Sequence, residues 1–246
     1  MKTLYRATRV RTLSLSGDGE WLLADDRHVE RVGTGEPPSA DRVVDLPGTT
    51  VFPGFVDAHV HLSGTGMAMS GLDLGESRSR QHALAAAREH VGGHPGPVLG
   101  MGMDETRWPD PAFPGREDLD AVSSEPLILV RADGYLSVAN SAALAKSEVG
   151  SLPGAERDER DEPTGLLRGE ANARAQLWYF RSLPDGVIQE AQLRAAGLAA
   201  ARGVTCLQEM AIPDKRGRRD VEVLLGHLAD LPADVVVYVA DRDIPW

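Results

Sequence analysis

His59 and His61, with Asp57 two residues before them, are the residues whose types and spacing point to chemistry. They lie in residues 51–66, V-F-P-G-F-V-D-A-H-V-H-L-S-G-T-G, which turn at Pro53-Gly54 and then alternate Asp57, His59 and His61 against Ala58, Val60 and Leu62. Such alternation marks a strand with one polar face. Side chains two apart on a strand leave the same side from Cα atoms about 6.6 Å apart, so two imidazoles can meet one ion. Zinc is commonly held by such nitrogens. A buried strand rarely carries Asp, His and His on one face unless each is paired or ligated. Spacing leaves two readings open, a metal site and a hydrogen-bonded structural pair.

The elements that would position this pair follow from periodicity and turn residues. Residues 1–50 read as short strands at 3–15, 21–24, 28–32 and 42–46, broken by Gly- and Asp-rich turns. His28 is expected at the surface there. Residues 63–69 are expected to form a small-residue loop, with Gly64 and Gly66 allowing backbone to approach a ligand. A helix is expected over 78–91, with His82, His90 and His94 on its surface or at its end. Strands at 97–103 and 127–130 precede the turn-rich segments 104–114 and 131–135. A short helix capped by Asn140 follows, then a charged, solvated excursion over 148–163. Helices at 170–181, 185–202 and 220–231, the last carrying His227, flank strands at 204–209 and 233–240. Counting from residue 51 gives five strands with intervening helices, an α/β pattern that fits the first five-eighths of a (β/α)₈ barrel.

Composition narrows the partners. With 42% hydrophobic and 26% charged residues and no apolar run near membrane-spanning length, the chain reads as an ordinary globular protein. A net charge of −11 argues against nucleic acid and offers no basic stripe for an anionic membrane. Cys206 is the single cysteine, which excludes a disulfide framework and a thiolate zinc cluster. Its apolar surroundings point to a buried structural thiol. The first residues lack the apolar core of a secretory signal, so a cytoplasmic location is expected.

P-G-F-V-D-A-H-V-H at residues 53–61 resembles the signature of the amidohydrolase superfamily, whose first barrel strand ends in His-x-His. G-M-D-E-T-R-W-P (102–109), R-E-D-L-D-A-V (116–122), L-V-R-A-D-G-Y (129–135), N-S-A-A-L (140–144), E-P-T-G-L-L-R (162–168) and G-V-T-C-L-Q-E-M-A (203–211) are similar to ordered blocks of amidohydrolase family 3. Together the blocks span most of residues 45–240, and their order makes the resemblance specific.

The resemblance implies a TIM-like (β/α)₈ metal-dependent hydrolase barrel over residues 51–246, with an insertion at about 104–185, preceded by part of a small β-sandwich over 1–50. In that family a divalent metal, Zn²⁺ first, activates a water against an amide-like or imine carbon of a small molecule. His59 and His61 would be first-strand ligands. Many relatives add a carboxylated lysine, but Lys2, Lys146 and Lys215 do not end barrel strands. A glutamate is expected instead, Glu209 first and Glu170 second. Asp104, Trp108, Asp133, Tyr135 and Glu170 are the expected substrate contacts. The later histidines and the basic aspartate of the family have no counterpart before Trp246, so no catalytic base is assigned. A truncated product, or a second chain or homo-oligomer completing the barrel, is the expectation. Tyr135, Gln208 and Asn172 stand where relatives often carry histidine, and an amide does not replace imidazole as a zinc ligand. Two alternatives therefore accompany the hydrolase: an inactive fragment or binding module, and a deaminase of the same superfamily.

Overall fold

The computed structural model describes residues 1–211 and 218–239. Two compact units divide the chain, Met1–Phe55 and Val56–Trp246. In the first, β1 (Thr3–Val10), β2 (Gly19–Ala24), β3 (Val29–Gly33) and β4 (Arg42–Val51) form one sheet in the order β3-β2-β1-β4. β1 runs antiparallel to β2 and parallel to β4. Leu4, Trp21 and Leu23 bury its small core. Among the described residues this unit holds a single sheet, and the two-layered sandwich expected from the resemblance is not seen there.

The second unit starts with β5 (Phe55–Val60), α1 (Leu62–Ser70), β6 (Leu72–Asp73), α2 (Arg80–Gly93) and β7 (Val98–Met103). It continues through α3 (Arg116–Asp120), β8 (Leu127–Arg131), β9 (Leu136–Ala139), α4 (Ser141–Ser147), β10 (Ala155–Arg157) and β11 (Pro163–Arg168). α5 (Gly169–Ser182), α6 (Asp185–Ala200), β12 (Val204–Ala211), α7 (Arg218–Gly226) and β13 (Asp234–Val239) complete it. These strands fall into two sheets, β10-β11-β9-β8-β7-β6 and β13-β12-β5.

That division corrects the count of five consecutive barrel strands. β7 and β8 are in the six-stranded sheet, whereas the His-x-His strand β5 lies beside β12. Periodicity cannot tell which sheet an apolar strand joins. The six-stranded sheet is mixed: β6, β7 and β8 are parallel, and β9 pairs antiparallel with both β8 and β11. Both its faces are covered, which accounts for the unbroken apolar run of β8. Leu127 and Leu129 pack with Ala83, Ala87 and Leu119 of α2 and α3, while Ile128 and Val130 pack with Ala143, Ala171 and Ala175 of α4 and α5. Asn140 pins the sheet's lower end. Buried completely, its amide donates to the carbonyls of Ser123 and Glu125 and accepts from the N–H groups of Leu127 and Ala143.

Among the described residues, the three-stranded sheet is covered on one face. Val60, Leu207, Val235 and Val237 pack with Leu62, Ala195, Ala196 and Leu224, whereas Val236 and Tyr238, on the other face of β13, are exposed. β12 and β13 are parallel, with Glu209 opposite Val237.

α1 replaces the loop expected over 63–69. Its sequence, L-S-G-T-G-M-A-M-S, has weak intrinsic helix propensity, so tertiary contacts must hold it. One is a close approach to α6. A β-carbon on Gly66 would stand 1.8 Å from the carbonyl oxygen of Ala191, so only glycine permits this spacing. Gly66→Ala is therefore expected to cost about 3 kcal/mol, by overpacking against backbone that cannot yield. Urea denaturation checks this, with Gly92→Ala, where a β-carbon meets nothing within 4 Å, as the unaffected control.

Candidate functional site

The His-x-His pair sits where β5 gives way to α1. His59 is in the strand and exposed, its backbone N–H donating to Asp57 Oδ1 at 3.1 Å. His61 is the N-cap residue of α1, half-buried, and its side chain makes no capping bond. The two rings meet edge to face with centroids 5.3 Å apart. The convergence expected from strand spacing is present, although His61 has already left the strand.

The missing cap comes from β12. Glu209, 2% exposed, accepts the N–H of Leu62 at 2.6 Å, and its other carboxylate oxygen lies 3.9 Å from His61 Nδ1. α1 has no acidic residue in its own first turn, so this carboxylate supplies the negative charge that the helix N-terminus favours. Alternation along β12 sets Glu209 on the side of core residue Leu207 and turns Gln208 to the opposite face. Only one of the two neighbours can therefore serve α1.

Beneath α1 lies a polar cluster that sequence reasoning did not find. The Ser63 hydroxyl donates to Asp220 Oδ1, and Gln192 Nε2 donates to Ser63 Oγ at 2.8 Å and to the Asp220 carbonyl at 3.1 Å. His227 Nε2 lies 2.7 Å from Gln192 Oε1. All four side chains are buried. The available signal was Gln192 itself, a lone amide on the stripe Ile188, Ala191, Ala195 and Ala196 that α6 turns to the core. His227, read from sequence as a surface or packing residue within a helix, follows α7 and is buried.

The remaining candidates are placed elsewhere in the second unit. Trp108 is buried in the core, where a substrate contact would be exposed, with its indole N–H donating to the Ser77 carbonyl at 2.7 Å. Asp104 caps the short turn Glu105–Arg107 by accepting from Thr106 N–H. Asp133 accepts from Arg131 at 3.1 Å and from Tyr135 N–H at 2.9 Å. Tyr135, 71% exposed, projects from this turn. Asn172 and Gln176 on α5 both donate to the carbonyl of Gly134, whose φ of +73° closes the turn. Asn172 thus holds backbone, a task suited to an amide. Glu170 is exposed and faces Arg174 at 3.9 Å. Cys206 is half-buried, more open than expected. Lys146 approaches Glu125 and Lys2 pairs with Glu30, while Lys215 lies outside the described residues, as do 241–246.

As a metal centre the arrangement is a partial one. Two imidazoles are ligand types that zinc takes, and one carboxylate oxygen of Glu209 accepts the Leu62 N–H at the α1 N-terminus. Among the described residues no three His, Cys, Asp or Glu side chains group so as to hold an ion. The donor chemistry therefore fits two positions of a coordination shell.

Fold and site define an α/β protein with a histidine pair at the end of one strand of a helix-backed sheet. The sequence profile of the amidohydrolase family matches residues 42–239, and the chain belongs to that family. It is 30% identical over 189 residues to YtcJ of Bacillus subtilis, covering 70% of this chain and 35% of YtcJ. It is 33% identical over 147 residues to the N-substituted formamide deformylase of Arthrobacter pascens, covering 55% of this chain and 27% of that enzyme. An uncharacterized metal-dependent hydrolase from Pyrococcus horikoshii shares the fold, with a TM-score of 0.72 at 22% identity over 97% of this chain and 48% of that one. The chain thus spans about a third of the curated relatives' length. Among the described residues, no helix is long and apolar enough to cross a membrane.

Two outcomes test these assignments. Glu209→Ala is expected to lower stability by about 1–2 kcal/mol in urea denaturation, the usual cost of a lost helix cap, with Glu209→Gln retaining most of it because an acceptor oxygen remains. The second concerns His90 and His94, whose rings stack with centroids 4.0 Å apart. Burial, and then the neighbouring His94, hold the His90 imidazole below its usual range. Unfolded histidine titrates near 6.5, so as pH falls below that value the unfolded chain binds the proton first and stability drops. Thermal melts between pH 7 and pH 5 should fall less steeply for His90→Gln than for the parent chain.

Proposed function

We propose that this chain carries part of the active site of a metal-dependent hydrolase that cleaves a C–N bond in a small amide-like compound. The observation that carries the proposal is the edge-to-face approach of His59 and His61 at the end of β5, in a chain of the amidohydrolase family. The relative named as a formamide deformylase supports an amide-like substrate. A bound divalent metal, Zn²⁺ first, would supply Lewis acidity and lower the pKa of water to about 7.

The residues of this chain have distinct tasks. His59 and His61 would hold the metal through ring nitrogen lone pairs. Glu209 fixes the Leu62 N–H and so the point from which the His61 ring departs. Its other carboxylate oxygen lies 3.9 Å from His61 Nδ1, a charge approach longer than a hydrogen bond. Tyr135, Asp133 and Glu170 are the substrate-contact candidates with exposed side chains. A binding module without hydrolytic activity is the second reading, favoured by the absence of a three-donor group among the described residues.

Metal titration of the full 246-residue chain tests the proposal. Calorimetry with Zn²⁺ is expected to register binding in the parent protein and its loss in the His59→Ala/His61→Ala double variant, with circular dichroism unchanged. Equal stoichiometry in both proteins would remove these two ligands and the hydrolase with them.

A further inference from the structure

We propose that Ser63, Gln192, Asp220 and His227 form a positioning relay that sets the direction of the His61 ring, an inference that rests on the metal-ligand role given to that histidine. The relay has one direction. Gln192 Nε2 faces Ser63 Oγ, the Asp220 carbonyl and, at 3.5 Å, Asp220 Oδ1; the carbonyl can only accept, so the amide cannot be flipped and its Oε1 must accept. His227 therefore carries its proton on Nε2 and donates to Gln192, which donates to Ser63, which donates to Asp220.

Its position gives the relay a function beyond filling a core. Ser63 is the second residue of α1 and lies two residues after His61. Helix propensity does not hold this turn, and its own residues supply neither an acid nor a side-chain cap. Two buried carboxylates from other elements hold it instead, Glu209 on the Leu62 N–H and Asp220 on the Ser63 hydroxyl. Both holds fall immediately after His61, on the N–H of its peptide bond to Leu62 and on Ser63. Buried polar groups that lose a partner are costly, so shifting Ser63 would unpair Gln192 and Asp220 together. Shifts of α7 or of the segment bearing His227 would accordingly reach the metal ligand through α6. A purely apolar contact beneath α1 would lack this directionality.

Three variants test it in the full chain: Ser63→Ala, Gln192→Met, and Asp220→Ala with Asp220→Asn as its conservative counterpart. The probe is Co²⁺, read by affinity and by the position of its visible absorption bands, together with the ring resonances of His61 in metal-free protein. Outer partners of metal-bound histidine typically change metal affinity by about 10–100-fold. Ser63→Ala and Gln192→Met are expected to weaken Co²⁺ about tenfold, shift its bands and move the His61 resonances. Asp220→Asn, which keeps an acceptor oxygen, should recover most of what Asp220→Ala loses. Lower melting temperatures with Co²⁺ affinity within twofold and His61 resonances unmoved would overturn the relay, leaving only a structural cluster. Should Ser63→Ala fail to fold, Gln192→Met decides, since it leaves the Ser63–Asp220 bond in place. If His59→Ala leaves Co²⁺ binding intact, the metal role fails separately, and the metal-free His61 resonances alone support or overturn the positioning.

Discussion

The hydrogen bond from the Leu62 N–H to the buried carboxylate of Glu209 joins the end of one strand to the start of the helix that follows another. Remove it and α1 has neither a cap nor an acid at its first turn, and the ring of His61 loses its fixed base. A nine-residue helix with two glycines, two serines and a threonine would not form on propensity alone. Here it is held at one end by Glu209 and Asp220 and along its length by the close approach that Gly66 permits to Ala191. The site is thus a consequence of tertiary constraint, with the chemistry placed at a seam between a sheet and two helices.

The same constraint separates the proposed metal ligands from the residues that hold them. Glu209 has the right charge for a ligand, but strand alternation turns it toward the helix-covered side, where a backbone donor claims it. Gln208, on the other face, cannot take its place at α1. Asn172 and Gln176 show the parallel case on α5, where amides hold the Gly134 carbonyl. Polar residues that look chemical in isolation are in both places busy supporting backbone.

Much of this was legible in the sequence. The His-x-His strand, the alternation that brings its rings together and the doubly covered strand at Leu127–Arg131 follow from residue period alone. Family membership followed from the order of short blocks and is supported by the match over residues 42–239. Other features were not legible because they depend on distant partners. Trp108 is in a turn-rich segment, as an exposed contact would be, yet its ring fills the core and its N–H finds the Ser77 carbonyl 31 residues away. α1 has the composition of a loop and folds because residues more than 100 positions later cap it. The assignment of β7 and β8 to a sheet other than that of β5 depends on strand pairing, which period does not encode. His227 and Gln192 each have an ordinary place on a helical pattern, and only their 2.7 Å contact gives them meaning.

X-ray absorption at the zinc edge, on the zinc-loaded full chain, tests the central claim most directly, because multiple scattering from imidazole counts histidine ligands regardless of turnover. Two histidines in the shell, falling to one in His61→Ala, is the predicted result. A shell without imidazole, or one unchanged by that substitution, would contradict the account.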